Sequence, residues 1–385
     1  MRKKFKKSMA MIMLATMIFT GEVQQVVKVN GAEQETKNQI VMSGNCGENA
    51  TWTLNGETGE VVVSGTGEVS DFKNKDVMEK TKILTINEGI TSIKAGTFYG
   101  CNMETVSLPE SLKEIQGMAF YDCEKLKEVV IPKNVNFLGE DAFGDCIQLK
   151  KCVILGDIKT EGGVFGGCLP DTLELTCKCE NLGRVIEPEE NSIKELKLIN
   201  GNKNYKIKNG FILSSNEKTL LGHVGKVKNV NVPKTVTKIG DYAFFMTYAQ
   251  KVTLNSKLKE IGEYAFYFNR FKKLEITKNV TKIGDNAFAR NEIKTLTLNK
   301  KIKSIGENAF NESELKKVKF YNNPTIKPGA FDKNVIIEYA GKAENRGSFA
   351  FANYIINEKT GFKFVCLDVN KIKGATGYQV KLTQP

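Results

Sequence analysis

A phenylalanine, preceded in most copies by alanine, recurs along this chain at an almost constant interval. In the first series the intervals are 22, 23 and 22 residues, between Phe98, Phe120, Phe143 and Phe165. In the second series they are 22, 22, 22 and 21, between Phe244, Phe266, Phe288, Phe310 and Phe331. A fixed period of roughly 20–50 residues is typical of repeat architectures. The sequence therefore predicts a solenoid, whose units bury their apolar edges only against their neighbours.

Each repeat also contains a short segment in which polar and apolar residues alternate, such as Lys251 to Leu254. Period-two alternation predicts a strand with one buried face. A proline ends three of these strands because it lacks a backbone donor; these residues are Pro109, Pro132 and Pro233. The rest of the repeat has room for a turn and a short helical piece, which places Ala265 and Phe266 inside the coil.

Two segments carry a family resemblance, Ile283-Gly284-Asp285-Asn286-Ala287-Phe288 and Leu126-Lys127-Glu128-Val129-Val130-Ile131-Pro132. They resemble the leucine-rich repeats of bacterial cell-surface antigens, the BspA-like family, over roughly residues 82–340. The resemblance implies a right-handed superhelix of short strands and short helical turns, with noncatalytic adhesive or ligand-binding roles and no catalytic residues. Residues 43–47 and 64–67 are similar to the β segment that often precedes such repeats in secreted Gram-positive proteins. We expect Trp52, the single tryptophan, to fill the core of this cap.

The chain begins with five basic residues within residues 1–8, followed by the apolar run Met9 to Thr20. This pattern predicts a signal peptide, because the run is too short to span a membrane comfortably. The predicted divisions are a signal peptide (1–32), a flexible leader (33–42), an N-terminal β cap (43–81), leucine-rich repeat block 1 (82–199), a hairpin insertion (200–232), leucine-rich repeat block 2 (233–340), a C-terminal cap (341–368) and a partial fibronectin type III-like segment (369–385). A secreted or cell-surface location, without a membrane span, follows from the signal.

Composition argues against an enzyme. His223 is the single histidine, so any Ser-His-Asp or Cys-His arrangement would have to be built around it alone. There is no glycine-rich phosphate loop, and no spacing singles out a pair of carboxylates for glycoside hydrolysis. We therefore predict no catalytic residues, no cofactor and no metal site, and we interpret His223 as a surface or turn residue.

Four of the nine cysteines each follow a repeat phenylalanine by three residues; they are Cys101, Cys123, Cys146 and Cys168. The second series has Thr247, Asn269, Asn291 and Ser313 at that position. Exchange among Cys, Asn, Thr and Ser indicates a small side chain that bonds to backbone groups in a tight turn. Neighbouring coils lie about 4.8 Å apart, so disulfides within the column remain an alternative.

Charge is unevenly distributed. Residues 33–199 hold 17 basic and 28 acidic side chains, whereas residues 200–331 hold 25 and 10. The outward strand positions of block 2 are predicted to form two adjoining columns on one broad flat sheet: Lys251, Lys273, Thr295 and Lys317, then Thr253, Glu275, Thr297 and Lys319. A lysine-rich face favours an anionic partner.

These patterns predict a noncatalytic binding protein, an adhesin for a host extracellular-matrix protein or for an anionic glycan or wall polymer. Nucleic acid is not expected as a partner, because no recognised motif for it is present. The alternative is that the chain is the targeting or spacer portion of a longer wall-associated multidomain protein or enzyme.

Overall fold

The chain winds into a β-solenoid of about 12 turns with little helix, as the repeat predicted. A computed structural model describes residues 40–72, 74–186, 193–322, 324–339, 354–356 and 363–365. The predicted signal peptide and the partial fibronectin-like segment lie outside these residues, as does most of the predicted C-terminal cap. The strand that opens the structure begins at Ile40, inside the segment expected to be a flexible leader.

The first half forms two sheets. The nine-stranded sheet has, in spatial order, β1 (Ile40–Asn45), β2 (Ala50–Asn55), β3 (Glu60–Gly65), β5 (Ile83–Ile86), β7 (Thr105–Ser107), β9 (Glu128–Ile131), β11 (Lys151–Ile154), β13 (Thr172–Leu175) and β14 (Glu195–Leu198). The five-stranded sheet has β12 (Lys159–Thr160), β10 (Phe137–Leu138), β8 (Glu114–Ile115), β6 (Ile90–Ile93) and β4 (Gly67–Val69). From β3 to β12 each coil contributes a strand to both sheets, so these coils stack in register.

The second half has one long sheet and three short ones. The eight-stranded sheet has β15 (Tyr205–Lys208), β16 (Phe211–Ser214), β17 (Thr219–His223), β19 (Lys238–Ile239), β21 (Glu260–Ile261), β23 (Lys282–Ile283), β25 (Ser304–Ile305) and β27 (Thr325–Ile326). The short sheets are β18 (Asn229–Asn231) with β20 (Lys251–Thr253), β22 (Lys273–Glu275) with β24 (Thr295–Thr297), and β26 (Lys317–Phe320) with β28 (Ile336–Tyr339), β29 (Tyr354–Ile356) and β30 (Lys363–Val365). The described residues hold two short helices, α1 (Lys75–Lys80) and α2 (Leu182–Val185).

The repeat phenylalanines form the core, as predicted. Phe266 is fully buried, and its ring stacks between those of Phe244 and Phe288 at centroid distances of 5.3 and 5.2 Å. Similar contacts join the first series into one column of rings. Each ring fills the interior of its own coil and covers the ring of the next, which is how a unit too small to bury its own apolar edge becomes stable.

The segment around each repeat phenylalanine is a tight turn, where the sequence suggested a short helical piece. In the coil of Phe266, Tyr264 has φ 50° and Phe268 has φ 52°, both in the left-handed region. These alternating conformations prevent a helix, because an α-helix of L-residues needs negative φ throughout. The turn bonds to the following coil instead. The N–H groups of Tyr264, Phe266 and Phe268 donate to backbone carbonyls there at 2.8–2.9 Å.

The glycine that follows each of β21, β23 and β25 is required by close approach of the coils. A Cβ atom on Gly284 would lie 2.6 Å from the backbone nitrogen of Glu263 in the preceding coil. No larger side chain fits there without separating the two backbones. The glycine of the Ile-Gly pair is therefore needed for the close spacing of the coils.

The N-terminal end of the solenoid is closed by an antiparallel β1–β2–β3 meander, and β3 then pairs in parallel with β5. Trp52 is buried here, and its ring meets that of Phe72 edge-on at 5.7 Å. Phe72 in turn lies 5.1 Å from Phe98. This confirms that Trp52 fills the cap, where it begins the column of core rings.

The regular coils are interrupted between Phe165 and Phe244 by an antiparallel β15–β16–β17 unit. The buried apolar side chains divide into two clusters there, one ending at Ile212 and the other beginning at Leu213. Regular winding resumes where β17 pairs in parallel with β19, with Leu220 opposite Ile239. The eight-stranded sheet thus joins the β15–β16–β17 unit to block 2, whereas the nine-stranded sheet of block 1 ends at β14, and each block keeps its own core.

Candidate binding face

The eight residues of the two predicted columns lie on β20, β22, β24 and β26. Seven of them are exposed, and Lys319 is half-buried. Val252, Leu274 and Val318, which alternate with them, are buried. The alternation in the sequence therefore predicted correctly which side of these strands faces solvent.

The structure brings only some of these residues into direct register. Lys273 is opposite Thr295 and Glu275 is opposite Thr297. In the described ranges, however, β20 does not pair with β22, nor β24 with β26, so the expectation of one continuous flat sheet is wrong. Just before β20 and β22, two backbone N–H groups donate to side-chain amide oxygens and not to the carbonyl of a neighbouring strand. The Oδ1 atoms of Asn269 and Asn291 accept from the N–H groups of Ala249 and Phe271, at 2.8 and 3.3 Å.

A groove of about 850 Å³ lies at the interruption between β20 and β22. Four residues of the predicted columns line it, and these are Lys251, Thr253, Lys273 and Glu275. The other four, Thr295, Thr297, Lys317 and Lys319, lie outside it. We call this the lysine groove. It is open along one side, so it can take part of an extended chain.

The lysine groove is lined by four cations and two carboxylates, which gives it an excess of positive charge. Two of the cations, Arg270 and Lys272, were missed by the sequence reasoning because they precede the alternating segment. Arg270 lies over the ring of Tyr248, with 5.2 Å between its Cζ atom and the ring centroid. Lys272 forms an exposed ion pair with Glu292 at 3.8 Å, which contributes little to stability. The sequence held a signal that could have identified Lys272: a basic residue stands just before consecutive repeat strands, as in Lys272, Lys294 and Lys316.

His223 lies away from this groove, as the last residue of β17. Its ring meets Phe211 edge-on at 5.1 Å, and its Nδ1 atom is 3.1 Å from the carbonyl oxygen of Gly225. These contacts pack the histidine within the hairpin. In the ranges that the structure describes, no three His, Cys, Asp or Glu side chains are grouped so that they could hold a metal ion.

The cysteine column bonds to backbone carbonyls, as the exchange of Cys with Asn predicted. The Sγ atoms of Cys123 and Cys146 lie 3.2 Å from the carbonyl oxygens of Phe98 and Phe120, in the preceding coils. In the second block the Nδ2 atom of Asn291 donates to the carbonyl of Phe266 at 2.8 Å. The eight cysteines that the structure describes are free and buried, and Cys366 lies outside the described residues.

The thiols of Cys101 and Cys168 are expected to resist alkylation in the folded protein. Burial raises the pKa of Cys101 to about 11 and that of Cys168 to about 12, so very little thiolate is present near neutral pH. We expect iodoacetamide to label them at least roughly a hundredfold more slowly than an exposed thiol with a pKa of about 8.5. Mass spectrometry of the labelled protein checks this, with Val130→Cys, at a 49% exposed position, as the control. Rapid labelling of Cys101 or Cys168 in the native protein, or a mass that shows disulfides in the column, would contradict it.

The sequence matches the BspA type leucine-rich repeat region in six copies, over residues 71–186 and 218–338. Because these stretches make up more than half of the chain, the protein belongs to the BspA-type leucine-rich repeat family, and the resemblance is confirmed. Proteins with these repeats are typically noncatalytic binding scaffolds. No curated protein of known function matches the sequence significantly.

Two solved structures show the same fold. One is a leucine-rich repeat protein from Eubacterium ventriosum, with a TM-score of 0.56 and 21% identity, where the match covers 77% of this chain and 84% of that one. The other is the pneumococcal vaccine antigen PcpA, with a TM-score of 0.50 and 18% identity, where the match covers 83% of this chain and 99% of that one. At these identities the similarity concerns the fold alone.

Proposed function

We propose that this protein is a noncatalytic adhesin, secreted or held at the cell surface, whose lysine groove binds an anionic polymer of the host matrix or the cell envelope. The observation that carries the proposal is the groove itself. It places Lys251, Arg270, Lys272 and Lys273, from two consecutive coils, around one open cleft of about 850 Å³.

The chemistry of these side chains favours a repeating anion over a single small ligand. A lysine ammonium is a mobile point charge with no fixed hydrogen-bonding fork, so it attracts sulfate or phosphate groups without imposing one geometry. Two consecutive coils supply these cations, so the positive charges repeat along the solenoid axis. A sulfated glycan or a phosphate-containing wall polymer fits this arrangement, because its own charges also repeat.

Family membership supports the proposed location, since BspA-type repeats occur in bacterial surface antigens. The predicted signal peptide of residues 1–32 supports export. Among the described residues, no helix is long and apolar enough to cross a bilayer.

The double variant Lys251→Glu/Lys273→Glu is expected to bind heparin roughly tenfold or more weakly than the wild-type protein. Each lysine near a dense anionic surface contributes about 1 kcal/mol, and a tenfold change in affinity corresponds to about 1.4 kcal/mol. Surface plasmon resonance on immobilised heparin, at two salt concentrations, gives the affinity. Wild-type binding is expected to weaken with salt, because mobile ions screen exposed charges.

The matched control is Lys257→Glu/Lys278→Glu, which makes the same change in net charge at exposed turn positions of consecutive coils, outside the lysine groove. The control is expected to retain most of the binding. Equal losses in the two double variants would show that net charge alone attracts the polymer. Salt-insensitive binding, or no saturable ligand among glycans, wall polymers and matrix proteins, would overturn the proposal.

A further inference from the structure

Six aromatic side chains form a second surface, on the outer turns of two consecutive coils. We call it the aromatic edge; it comprises Tyr242, Phe245, Tyr248, Tyr264, Tyr267 and Phe268. Tyr242 stacks on Tyr264 at 5.0 Å, and Phe245 stacks on Tyr267 at the same distance. Tyr242 is largely buried, and the other five are half-buried. None of the six belongs to the phenylalanine column that fills the core.

Packing of the solenoid does not require rings at these positions. The next coil has Asn286 and Ala289 where this surface has Tyr264 and Tyr267, and the coil after that has Asn308 and Asn311. Those coils wind in the same way and bury their repeat phenylalanines equally well. In the first block, Tyr99 and Tyr121 stack at 5.4 Å without a second row of rings beside them. Among the coils that the structure describes, only these two carry the doubled row.

The backbone makes these rings costly for the fold. Tyr242, Tyr248, Tyr264 and Phe268 have φ between 50° and 59°. The left-handed region suits glycine, asparagine and aspartate, and it disfavours bulky side chains. Asn286, at the position of Tyr264, has φ 54°, so asparagine is accepted there. Residues held in such conformations cluster at binding sites, which points to a role for the rings beyond stability.

The arrangement of the rings indicates what they contact. Within each stack the rings cover each other, and a guanidinium group lies against the ring at one end of each stack. The Cζ atom of Arg184 lies 4.1 Å from the ring centroid of Tyr242, and that of Arg290 lies 5.8 Å from the centroid of Tyr267. A sugar ring would stack on an open aromatic face, and at Tyr242 and Tyr267 a neighbouring ring and a guanidinium group already lie against the ring. The edges of these two rings are the parts left for a partner.

Tyrosine and phenylalanine edges beside arginine form the composition that is enriched at protein–protein hot spots. Charge selects among protein partners. Arg270, over the ring of Tyr248, is exposed, and residues 200–331 hold 25 basic and 10 acidic side chains. We propose that the aromatic edge is a docking surface for a protein segment in which carboxylates lie beside aliphatic or aromatic side chains. This surface meets the lysine groove at Arg270 but does not depend on polymer binding there.

The test uses the full chain and the variant Tyr264→Asn/Tyr267→Ala, which gives one coil the residues of the next. Short random peptides displayed on phage are selected on the wild-type protein, and the enriched peptides are synthesised and titrated by fluorescence anisotropy. We expect enriched peptides to combine Asp or Glu with apolar residues. They should bind the double variant at least roughly tenfold more weakly, with heparin binding unchanged. The control Tyr99→Ala, in the first block, should bind the peptides as the wild type does.

Thermal unfolding is measured on the same proteins. The double variant is expected to unfold within a few degrees of the wild type, and a much larger fall would show that the rings serve packing, which overturns the proposal. The variant Arg270→Glu leaves every ring in place, and it should bind the peptides at least roughly tenfold more weakly than the wild type. Peptides without acidic residues, equal binding by the double variant, or no enrichment would also overturn it. So would a glycan-array signal, or a dimer in analytical ultracentrifugation, that the double variant loses.

Discussion

The variant Phe266→Ala is expected to lower the free energy of unfolding by about 3–5 kcal/mol. The ring is fully buried and stacks on two neighbouring rings, while Phe271 meets it edge-on at 5.6 Å. Alanine leaves a cavity that the coils cannot close, because the backbone bonds between the coils fix their separation. Urea denaturation followed by circular dichroism gives the change.

The control for this variant is Ile147→Ala, which shortens a side chain that is 64% exposed. It is expected to change stability by no more than about 0.5 kcal/mol. In a stacked repeat each coil supports its neighbours, so Phe266→Ala should also lower the cooperativity of unfolding. A loss below about 1 kcal/mol would mean that the phenylalanine column is not what holds the coils together.

Replacing Asn291 with leucine is expected to lower the free energy of unfolding by at least about 3 kcal/mol, the second large effect. The Nδ2 atom donates to the carbonyls of Phe266 and Phe288 at 2.8 and 3.0 Å, and Oδ1 accepts from the N–H of Phe271. Leucine has a similar volume but leaves these buried backbone groups without their partner, at about 1–3 kcal/mol for each. Denaturation, together with hydrogen exchange at the Phe271 amide, measures the loss.

The informative control is Asn291→Cys, because the first block has a cysteine at this position. The thiol keeps a weak donor for the carbonyl of Phe266, as Cys123 does for Phe98 at 3.2 Å. We expect Asn291→Cys to be clearly more stable than Asn291→Leu. Equal losses would show that side-chain volume, and not the hydrogen bonds, decides what the turn accepts.

Much of the fold could be predicted from the sequence because its determinants repeat. A buried phenylalanine about every 22 residues fixes the length of a coil, and the alternation around Val252 or Leu274 fixes which side of a strand is buried. The exchange of Cys123 with Asn269 revealed a shared hydrogen-bonding role. Each of these signals depends on an average over many copies, so an irregular copy does not obscure it.

The candidate surfaces could be predicted only in part, because they arise where the repeat is irregular. The exposure of Lys251 and Lys273 followed from alternation. The groove between them did not, because it needs the missing pairing of β20 with β22. Arg270 reaches the groove from the segment between the turn and β22, outside the strand pattern. The left-handed conformation of Tyr264 could not be predicted from its own coil. The next coils have asparagine at this position, which signals a left-handed residue, but the coil of Tyr264 does not.

The hydrogen bonds of the outer turns also determine the order in which the coils can fold when the chain emerges from one end. The N–H of Phe266 bonds to the carbonyl of Ala287, and the amide of Asn291 bonds 25 residues back, to Phe266. Every coil is therefore completed as soon as the following coil arrives, without waiting for the far end of the chain. Contacts this local let assembly advance by one coil at a time. During such folding, no more than a coil or two of apolar sequence is exposed to solvent at any time, even in a chain of this length.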